Sequence, residues 1–204
     1  GYLESVLPEA GIRRFLQRAM GSALLGVPSE KMMINLIGPS STGKSVFLAV
    51  LRRVLGDYAE AADSALFLAS GRGGAGGAEA ASPALHALRR ARLVVASEPD
   101  SRGVWDAGLL KALTGRDAMK TRPLYSEGVE WTPRFMLVVA SNSFVRVDVA
   151  DEALISRIHP VRFGVHFSRE TADTRITEKI LAESGLASGV GAVWSAEALR
   201  EGCG

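Results

Sequence analysis

Apolar runs of strand length alternate with helical patterns along the chain, and this alternation predicts an α/β fold. Residues 32–37 form a mostly apolar run, and after Ser45 the apolar positions recur at helical spacing until Gly56. Residues 93–97 and 135–141 are two further apolar runs, which we predict to be buried strands. Strands that alternate with helices build a mainly parallel sheet flanked by helices.

The remaining patterns divide the chain into three parts. We predict an N-terminal helical segment over residues 1–30, an α/β core over 31–167 and a C-terminal helical tail over 168–204. A short helix is predicted within residues 57–68, and longer helical patterns cover 83–91, 104–113 and 151–158. A strand is predicted over 160–163 and a hairpin from 116–125 and 129–132.

Residues 38–45 form a phosphate-binding motif between the first predicted strand and its helix. They are Gly38, Pro39, Ser40, Ser41, Thr42, Gly43, Lys44 and Ser45, which fit the pattern G-x-x-x-x-G-K-[ST]. The glycines let backbone N–H groups point at phosphate oxygens, and the positive end of the helix dipole faces the same place. Lys44 is expected to reach the β- and γ-phosphates and Ser45 the Mg²⁺ ion, so the motif predicts ATP binding.

Polar residues follow the next two predicted core strands. Glu98 and Asp100 come directly after the strand 93–97, and Asn142 follows the strand 135–141. A carboxylate at the C-terminal end of a parallel strand can hold Mg²⁺ and polarise the attacking water, which is the role predicted for Glu98, with Asp100 as a weaker second acid. A solvated loop is the ordinary alternative for both acids. The neutral amide of Asn142 can hydrogen-bond the γ-phosphate and the water without competing for the metal.

Four cations lie in and before the predicted hairpin, with aromatic residues near them. The cations are Lys111, Arg116, Lys120 and Arg122, and the aromatic residues are Tyr125 and Trp131. Basic residues interleaved with aromatic residues suit single-stranded nucleic acid, because phosphates meet the charges and bases stack on the rings. A solvated charged hairpin explains the same run, so the residues alone leave both interpretations open.

Composition limits the kinds of protein that the chain can be. Its 204 residues are 47% hydrophobic, which suits a compact domain, and 24 basic against 22 acidic residues leave a net charge of +2, so a site for a polyanion must be local. A single cysteine, Cys203, gives neither a disulfide framework nor a thiolate metal site. No apolar run reaches the roughly 20 residues of a membrane span. We expect a soluble, cytoplasmic protein without membrane partners and, because the chain starts at Gly1, a piece of a longer polypeptide.

With these pieces in order, the sequence resembles the superfamily-3 helicases of phage and plasmid primase-helicases, which are ring-forming AAA+ ATPases. The resemblance runs from about residue 15 to about residue 163. The segments that carry it are 15–18, the phosphate-binding motif, 91–98 with its sequence ARLVVASE, 110–117, 122–125 and 140–142. It implies an AAA+-type P-loop NTPase fold with a small N-terminal helical segment.

The resemblance also implies roles for residues of this chain. The phosphate-binding motif is the family's Walker A motif, Glu98 its Walker B acid and Asn142 the sensor of the γ-phosphate. Arg157 resembles the arginine finger, which acts on the ATP of a neighbouring subunit, with Arg162 as a rival. A surface salt bridge of Arg157 with Asp151 or Glu152 is the ordinary alternative.

The family's activity gives the functional expectation. It is an ATP-dependent DNA helicase or translocase in a ring, most commonly a hexamer, acting on single-stranded DNA or a DNA fork with ATP and Mg²⁺, in a bacterial host cell. The segment 111–131 then carries the DNA-facing loops, and a primase domain, if there is one, lies outside this chain. Two alternatives stay open: a nucleoside monophosphate kinase, and a DNA-binding initiator module that uses ATP as a switch.

Overall fold

The computed structural model describes residues 1–26, 30–69, 83–97, 103–122, 127–144, 146–147, 151–168, 170–171 and 173–183. Its helices are α1 (Tyr2–Val6), α2 (Ala10–Leu24), α3 (Lys44–Leu55), α4 (Pro83–Ala87), α5 (Ala107–Gly115), α6 (Glu152–Ile155) and α7 (Ile176–Glu183). Its strands are β1 (Met33–Ile37), β2 (Ala59–Asp63), β3 (Leu93–Ser97), β4 (Met119–Thr121), β5 (Val129–Trp131), β6 (Met136–Ser141) and β7 (Ile158–Arg162).

Five parallel strands form the central sheet in the order β2-β3-β6-β1-β7. The strand β6 lies between β1, which leads into the phosphate-binding motif, and β3, which leads toward Glu98. Because all five strands run in one direction, their carboxyl ends share one edge of the sheet. The predicted mainly parallel sheet is confirmed, and its order brings the ends of β3, β6 and β1 next to one another.

Helices cover both faces of the sheet, so the strands are buried on both sides. One face packs against α1, α2 and α3, with Leu16, Phe47 and Leu51 in its core. The other face packs against α4, α5 and α6, with Leu110 and Leu154 in its core. The predicted α/β fold with flanking helices is therefore confirmed. No helix in the described part of the chain is long and apolar enough to cross a membrane.

The segment 57–68 contains helix only as short 3₁₀ turns, and the strand within it was not predicted. The structure has the strand β2 there, between two short 3₁₀ turns at Gly56–Tyr58 and Ser64–Phe67. The strand sequence, AEAAD, lacks β-branched residues, and it becomes a strand because β3 beside it offers a parallel edge for pairing. Pairing with β3 thus overrides the low strand propensity of this outermost strand.

The other predicted elements that fall on described residues are present, with shorter or shifted bounds. The hairpin is the antiparallel pair β4–β5, with Lys120 opposite Glu130. The predicted helix over 151–158 shortens to α6, and β7 begins two residues before the predicted strand. Of the predicted C-terminal helical tail, the structure describes α7, and residues 184–204 lie outside the described residues.

Candidate nucleotide-binding site

The candidate site lies at the carboxyl edge of the sheet, where four strand ends are in register. Ile37 of β1 pairs with Ser141 of β6, and Ser97 of β3 pairs with Ala140 of β6. Asp63 of β2 pairs with Ser97 on the other side. The phosphate-binding motif leaves β1 at this edge, beside Ser141 of β6, and Ser97 of β3 lies on the far side of β6. Ligands of open α/β sheets bind at this kind of edge.

The phosphate-binding loop folds around the ammonium group of Lys44. Lys44 is only 8% exposed, and its Nζ donates to the carbonyl oxygens of Gly38 and Pro39, the latter at 2.8 Å. The hydroxyl of Thr42 also donates to the Pro39 carbonyl, at 2.9 Å. Burial lowers the pKa of Lys44. The charge of Lys44 is thus held inside the loop, at the place where phosphate oxygens would bind.

The N-terminal helix α1 packs directly on the loop. The phenol of Tyr2 donates to the Gly43 carbonyl at 2.7 Å, and burial raises the pKa of this phenol above its ordinary value. Gly43 has a φ of 91°, which favours glycine, and a β-carbon there would lie 2.7 Å from Cγ1 of Val6. The sequence patterns did not connect α1 with the motif, because 41 residues separate Tyr2 from Gly43.

The segment after β7 packs on the opposite side of the loop. A β-carbon on Gly38 would lie 2.1 Å from the carbonyl oxygen of Phe163, so only glycine fits there. The backbone N–H of Phe167 donates to the Ser41 carbonyl at 2.9 Å. The loop is therefore held between α1 and the residues that follow β7.

Asn35 links the loop strand to the strand that carries Asn142. It is fully buried in β1, and its side-chain amide donates to the Val139 carbonyl at 3.2 Å and to Ser141 Oγ at 2.8 Å. Ser141 Oγ in turn donates to the Ser143 carbonyl and so shapes the turn that contains Asn142. Sequence reasoning missed this positioning residue, although one polar residue in an otherwise apolar strand is a signal that could have found it.

The loop and the end of β6 line one cavity of about 310 Å³. Its lining residues include Lys44, Ser45, Ser97 and Asn142. The structure thus brings together the predicted phosphate-binding motif, residues 38–45, which we call the P-loop, and the predicted sensor. Backbone N–H groups, an ammonium and an amide around one space suit the phosphates of a nucleotide. The exposed hydroxyl of Ser45 at the same cavity fits a ligand of Mg²⁺.

The two predicted acids Glu98 and Asp100 lie outside the described residues. Their predicted roles at Mg²⁺ and at the attacking water therefore stay predictions. The described part of β3 ends at Ser97, whose side chain lines the cavity. Among the residues that the structure describes, no group of three histidine, cysteine or carboxylate side chains forms a metal cluster.

The two arginines considered for an intersubunit role lie at opposite ends of the strand β7. Arg157 directly precedes β7, and its carbonyl accepts from Met33 N at the start of β1. Four strand steps of about 3.3 Å, or about 13 Å, separate that position from the end of β1. Arg162 pairs with Ile37 and so lies beside the loop of its own chain.

The side chain of Arg157 is bound within its own chain. It is half-buried, and Nη1 donates to the Lys111 carbonyl at 2.8 Å and to Thr114 Oγ1 at 3.1 Å. The salt bridge weighed for Arg157 with Asp151 is not formed, because Asp151 pairs with Lys111, whose Nζ lies 2.5 Å from Asp151 Oδ2. That hydrogen bond from Lys111 lowers the pKa of Asp151, which also caps α6.

The structure separates the four cations that the sequence grouped together. Lys111 joins α5 to the start of α6, and Arg116 ends α5 with a φ of 61°. Lys120 is exposed on β4 opposite Glu130, and alternation along the strand places it on the hairpin face opposite Trp131. Arg122 is exposed just past β4, and Tyr125 lies outside the described residues. Nucleic-acid binding by these four cations stays a prediction.

Two curated viral proteins are similar to this chain in sequence. "Putative helicase L207/L206" of Acanthamoeba polyphaga mimivirus is 25% identical over 179 residues, which cover 88% of this chain and 18% of that protein. "Putative helicase 022R" of Frog virus 3 is 30% identical over 195 residues, which cover 88% of this chain and 20% of that protein. The chain thus spans about a fifth of the length of these relatives. No protein-family model matches it.

Two solved structures share the fold. The NrS-1 C-terminal region superposes with a TM-score of 0.66 at 14% identity, over 94% of this chain and 43% of that one. JCV helicase superposes with a TM-score of 0.53 at 17% identity, over 93% of this chain and 50% of that one. At such low identity the likeness concerns the fold, and it agrees with a P-loop NTPase core of mainly parallel strands flanked by helices.

Proposed function

We propose that this chain is the ATP-hydrolysing motor domain of a nucleic-acid helicase. One observation carries the proposal: the P-loop and Asn142, which follow neighbouring strands, line a single cavity at the carboxyl edge of the sheet. The two viral relatives are named as helicases, and JCV helicase has the same fold, which supports a motor over a nucleoside monophosphate kinase.

The phosphate-binding motif, Asn142 and the two predicted acids have proposed parts in the hydrolysis of ATP. The backbone of residues 38–45 and Lys44 bind the phosphates, and Lys44 stabilises the charge that develops on the γ-phosphoryl group. Asn142 orients the γ-phosphate and the attacking water, and Glu98 polarises that water. Mg²⁺ held by Ser45, with Glu98 and Asp100, would supply further neutralisation of phosphate charge.

More specifically, we propose a superfamily-3 motor that assembles into a ring, with the hexamer as its oligomeric state. Arg157 lies at the edge of the sheet away from its own P-loop, which supports a role at the ATP of a neighbouring subunit. To act there, its guanidinium must exchange the Lys111 carbonyl and Thr114 for phosphate oxygens. DNA as the nucleic acid, and replication of a phage or plasmid as the setting, belong to the same proposal.

The test compares Lys44→Ala with Lys31→Ala, which removes an exposed lysine before the same strand. We expect Lys44→Ala to lower the rate of ATP hydrolysis by about 10²–10³, because it removes a preorganised charge from the transition state. Lys31→Ala should hydrolyse ATP like the wild type. Steady-state phosphate release, measured with and without single-stranded DNA, provides the readout.

Strand separation distinguishes the motor from its alternatives. ATP-dependent unwinding of a forked DNA by the wild type supports the motor. ATP-dependent DNA binding without turnover would instead support an initiator module that uses ATP as a switch. Phosphoryl transfer to a nucleoside monophosphate would support the kinase, and equal ATPase rates for Lys44→Ala and wild type would contradict the proposed site.

A further inference from the structure

A second cleft lies at the amino edge of the sheet, away from the P-loop. Its volume is about 430 Å³, and its lining residues are Arg89, Arg90, Arg92, Trp131, Thr132 and Arg134. Arg92 directly precedes β3 and Arg134 lies two residues before β6, whereas the P-loop follows the other end of the sheet. We call this space the arginine cleft. None of its residues belongs to the site described above.

The arginine cleft concentrates positive charge in a molecule whose net charge is only +2. Pairing of β3 with β6 produces this concentration, because Met136 N donates to the Arg92 carbonyl at 3.0 Å and so brings residues 89–92 beside Arg134. No carboxylate is among the described residues that line the cleft. The salt bridges found among the described residues of the whole chain involve none of the four arginines. The cleft therefore suits an anionic ligand.

One chain of hydrogen bonds connects Arg89 with Trp131. Arg89 Nη1 donates to His86 Nε2, so the proton of the neutral imidazole resides on Nδ1, which lies 3.0 Å from Thr121 Oγ1. The same hydroxyl oxygen accepts from Trp131 Nε1 at 2.7 Å. Burial, and then the charge of Arg89, lower the pKa of His86 and favour this neutral form. The indole is thereby fixed beside the guanidinium groups.

We propose that the arginine cleft binds the sugar-phosphate backbone of a single-stranded nucleic acid, with Trp131 against a base. Each guanidinium group can donate two parallel hydrogen bonds to phosphate oxygens. The half-buried indole of Trp131 offers a surface on which an unpaired base can stack, and the paired bases of a duplex cannot reach it. An acidic peptide would use the charges but not the ring. The inference rests on the proposed helicase function and extends it, because it places nucleic acid at the base of the β4–β5 hairpin.

The position of the cleft fits a path along the hairpin. Trp131 pairs with Met119 at the end of the hairpin near the sheet, and Thr121 pairs with Val129 toward the tip, beyond which lies Arg122. The two register steps from Met119 to Thr121 span about 7 Å. A strand bound in the cleft can thus continue along the hairpin while ATP binds at the opposite edge of the sheet.

The test removes two exposed arginines of the cleft and compares them with two exposed arginines elsewhere. Arg90→Gln/Arg134→Gln leaves Arg89 with His86 and Arg92 against Gly26, while Arg14→Gln/Arg53→Gln removes the same charge from α2 and α3. Fluorescence polarisation with labelled oligothymidylate, measured at several salt concentrations, gives the affinity and its salt dependence. Thermal unfolding by circular dichroism checks that both variants are folded.

We expect the cleft variant to bind the oligonucleotide roughly tenfold or more weakly than the control variant. Its slope of log affinity against log salt should be smaller by roughly 1.4, since each lost phosphate contact on a single strand contributes roughly 0.7. A folded cleft variant that binds like the control overturns the inference and leaves the proposed function standing. If the wild type binds no oligonucleotide and hydrolyses no ATP, the proposed function fails as well.

Self-association is the remaining outcome that matters. Sedimentation velocity of the same two variants shows whether the cleft joins copies of this chain. A cleft variant that binds oligothymidylate normally but loses self-association would overturn the inference and assign the arginines to a subunit interface.

Discussion

At the scale of single residues, the P-loop depends on positions where a side chain has no room. The β-carbon of any other residue at position 38 would meet the Phe163 carbonyl oxygen at 2.1 Å, which is far inside van der Waals contact. Gly38 directly follows β1 and Phe163 directly follows β7, and these two strands are paired, so neither backbone segment can move away alone. The close approach of β7 thus fixes where the loop leaves β1.

Gly38→Ala should destabilise the protein by about 1–3 kcal/mol, because the methyl group must push β7 away from β1. Nucleotide affinity should fall with it, since the loop begins at this residue. Gly164→Ala is the control, as a β-carbon there would meet no atom within 4 Å. Urea unfolding gives the stability and titration with a fluorescent ATP analogue gives the affinity; equal values for the two variants would contradict the argument.

At the scale of elements, the N-terminal helix α1 belongs to the nucleotide site. The helix has only five residues and cannot be stable in isolation, so its contacts with the loop and with α2 hold it in place. The hydrogen bond from the Tyr2 phenol to the Gly43 carbonyl is the polar part of this contact. We expect nucleotide binding and the order of α1 to depend on each other.

Tyr2→Phe tests this coupling by removing only the hydroxyl. Loss of one partly buried hydrogen bond should lower the free energy of unfolding by about 0.5–1.5 kcal/mol and weaken ATP binding. Tyr58→Phe is the matched control, because Tyr58 is 52% exposed and lies outside the site. Chemical denaturation and nucleotide titration provide the measurement, and a Tyr2→Phe protein as stable as the control would argue against the contact.

At the scale of the whole molecule, ATP hydrolysis is proposed to need two copies of the chain. Arg157 lies at the amino end of β7, whereas the P-loop follows the carboxyl end of the neighbouring strand β1. A single copy therefore cannot bring them together without unfolding β7. A head-to-tail arrangement of copies, repeated by rotation, would bring each Arg157 to the next P-loop and close into a ring.

Mixing two inactive variants tests this arrangement. Arg157→Ala alone should lose on the order of 10³ in hydrolysis rate, and Lys44→Ala is inactive through its own P-loop. In an equal mixture about a quarter of the interfaces combine an intact P-loop with an intact arginine, so activity should recover to about that fraction. An Arg162→Ala protein mixed in the same way is the comparison, because Arg162 lies beside its own loop. No recovery at any mixing ratio would exclude a role in trans for Arg157.

Much of the fold was predictable because burial leaves a local signature. The apolar runs that became β1, β3 and β6 and the helical pattern of α3 were evident, since a strand buried on both faces has almost no polar positions. The strand β2 was not, because its alanines and acids carry no strand pattern and its pairing with β3 decides its conformation. The cations of the hairpin region were grouped by sequence distance, whereas Lys111 pairs with Asp151 40 residues away.

The sequence by itself determined the phosphate-binding loop, the α/β class and the polar residues that follow β3 and β6, because these depend on local backbone chemistry and on the period of the apolar positions. Only the tertiary structure decided what surrounds that loop. Tyr2, Asn35 and Phe163 reach it from distant parts of the chain, through packing that no local pattern encodes. The arginine cleft arises in the same way, because parallel strand pairing brings together the starts of β3 and β6, and with them charges that lie more than 40 residues apart.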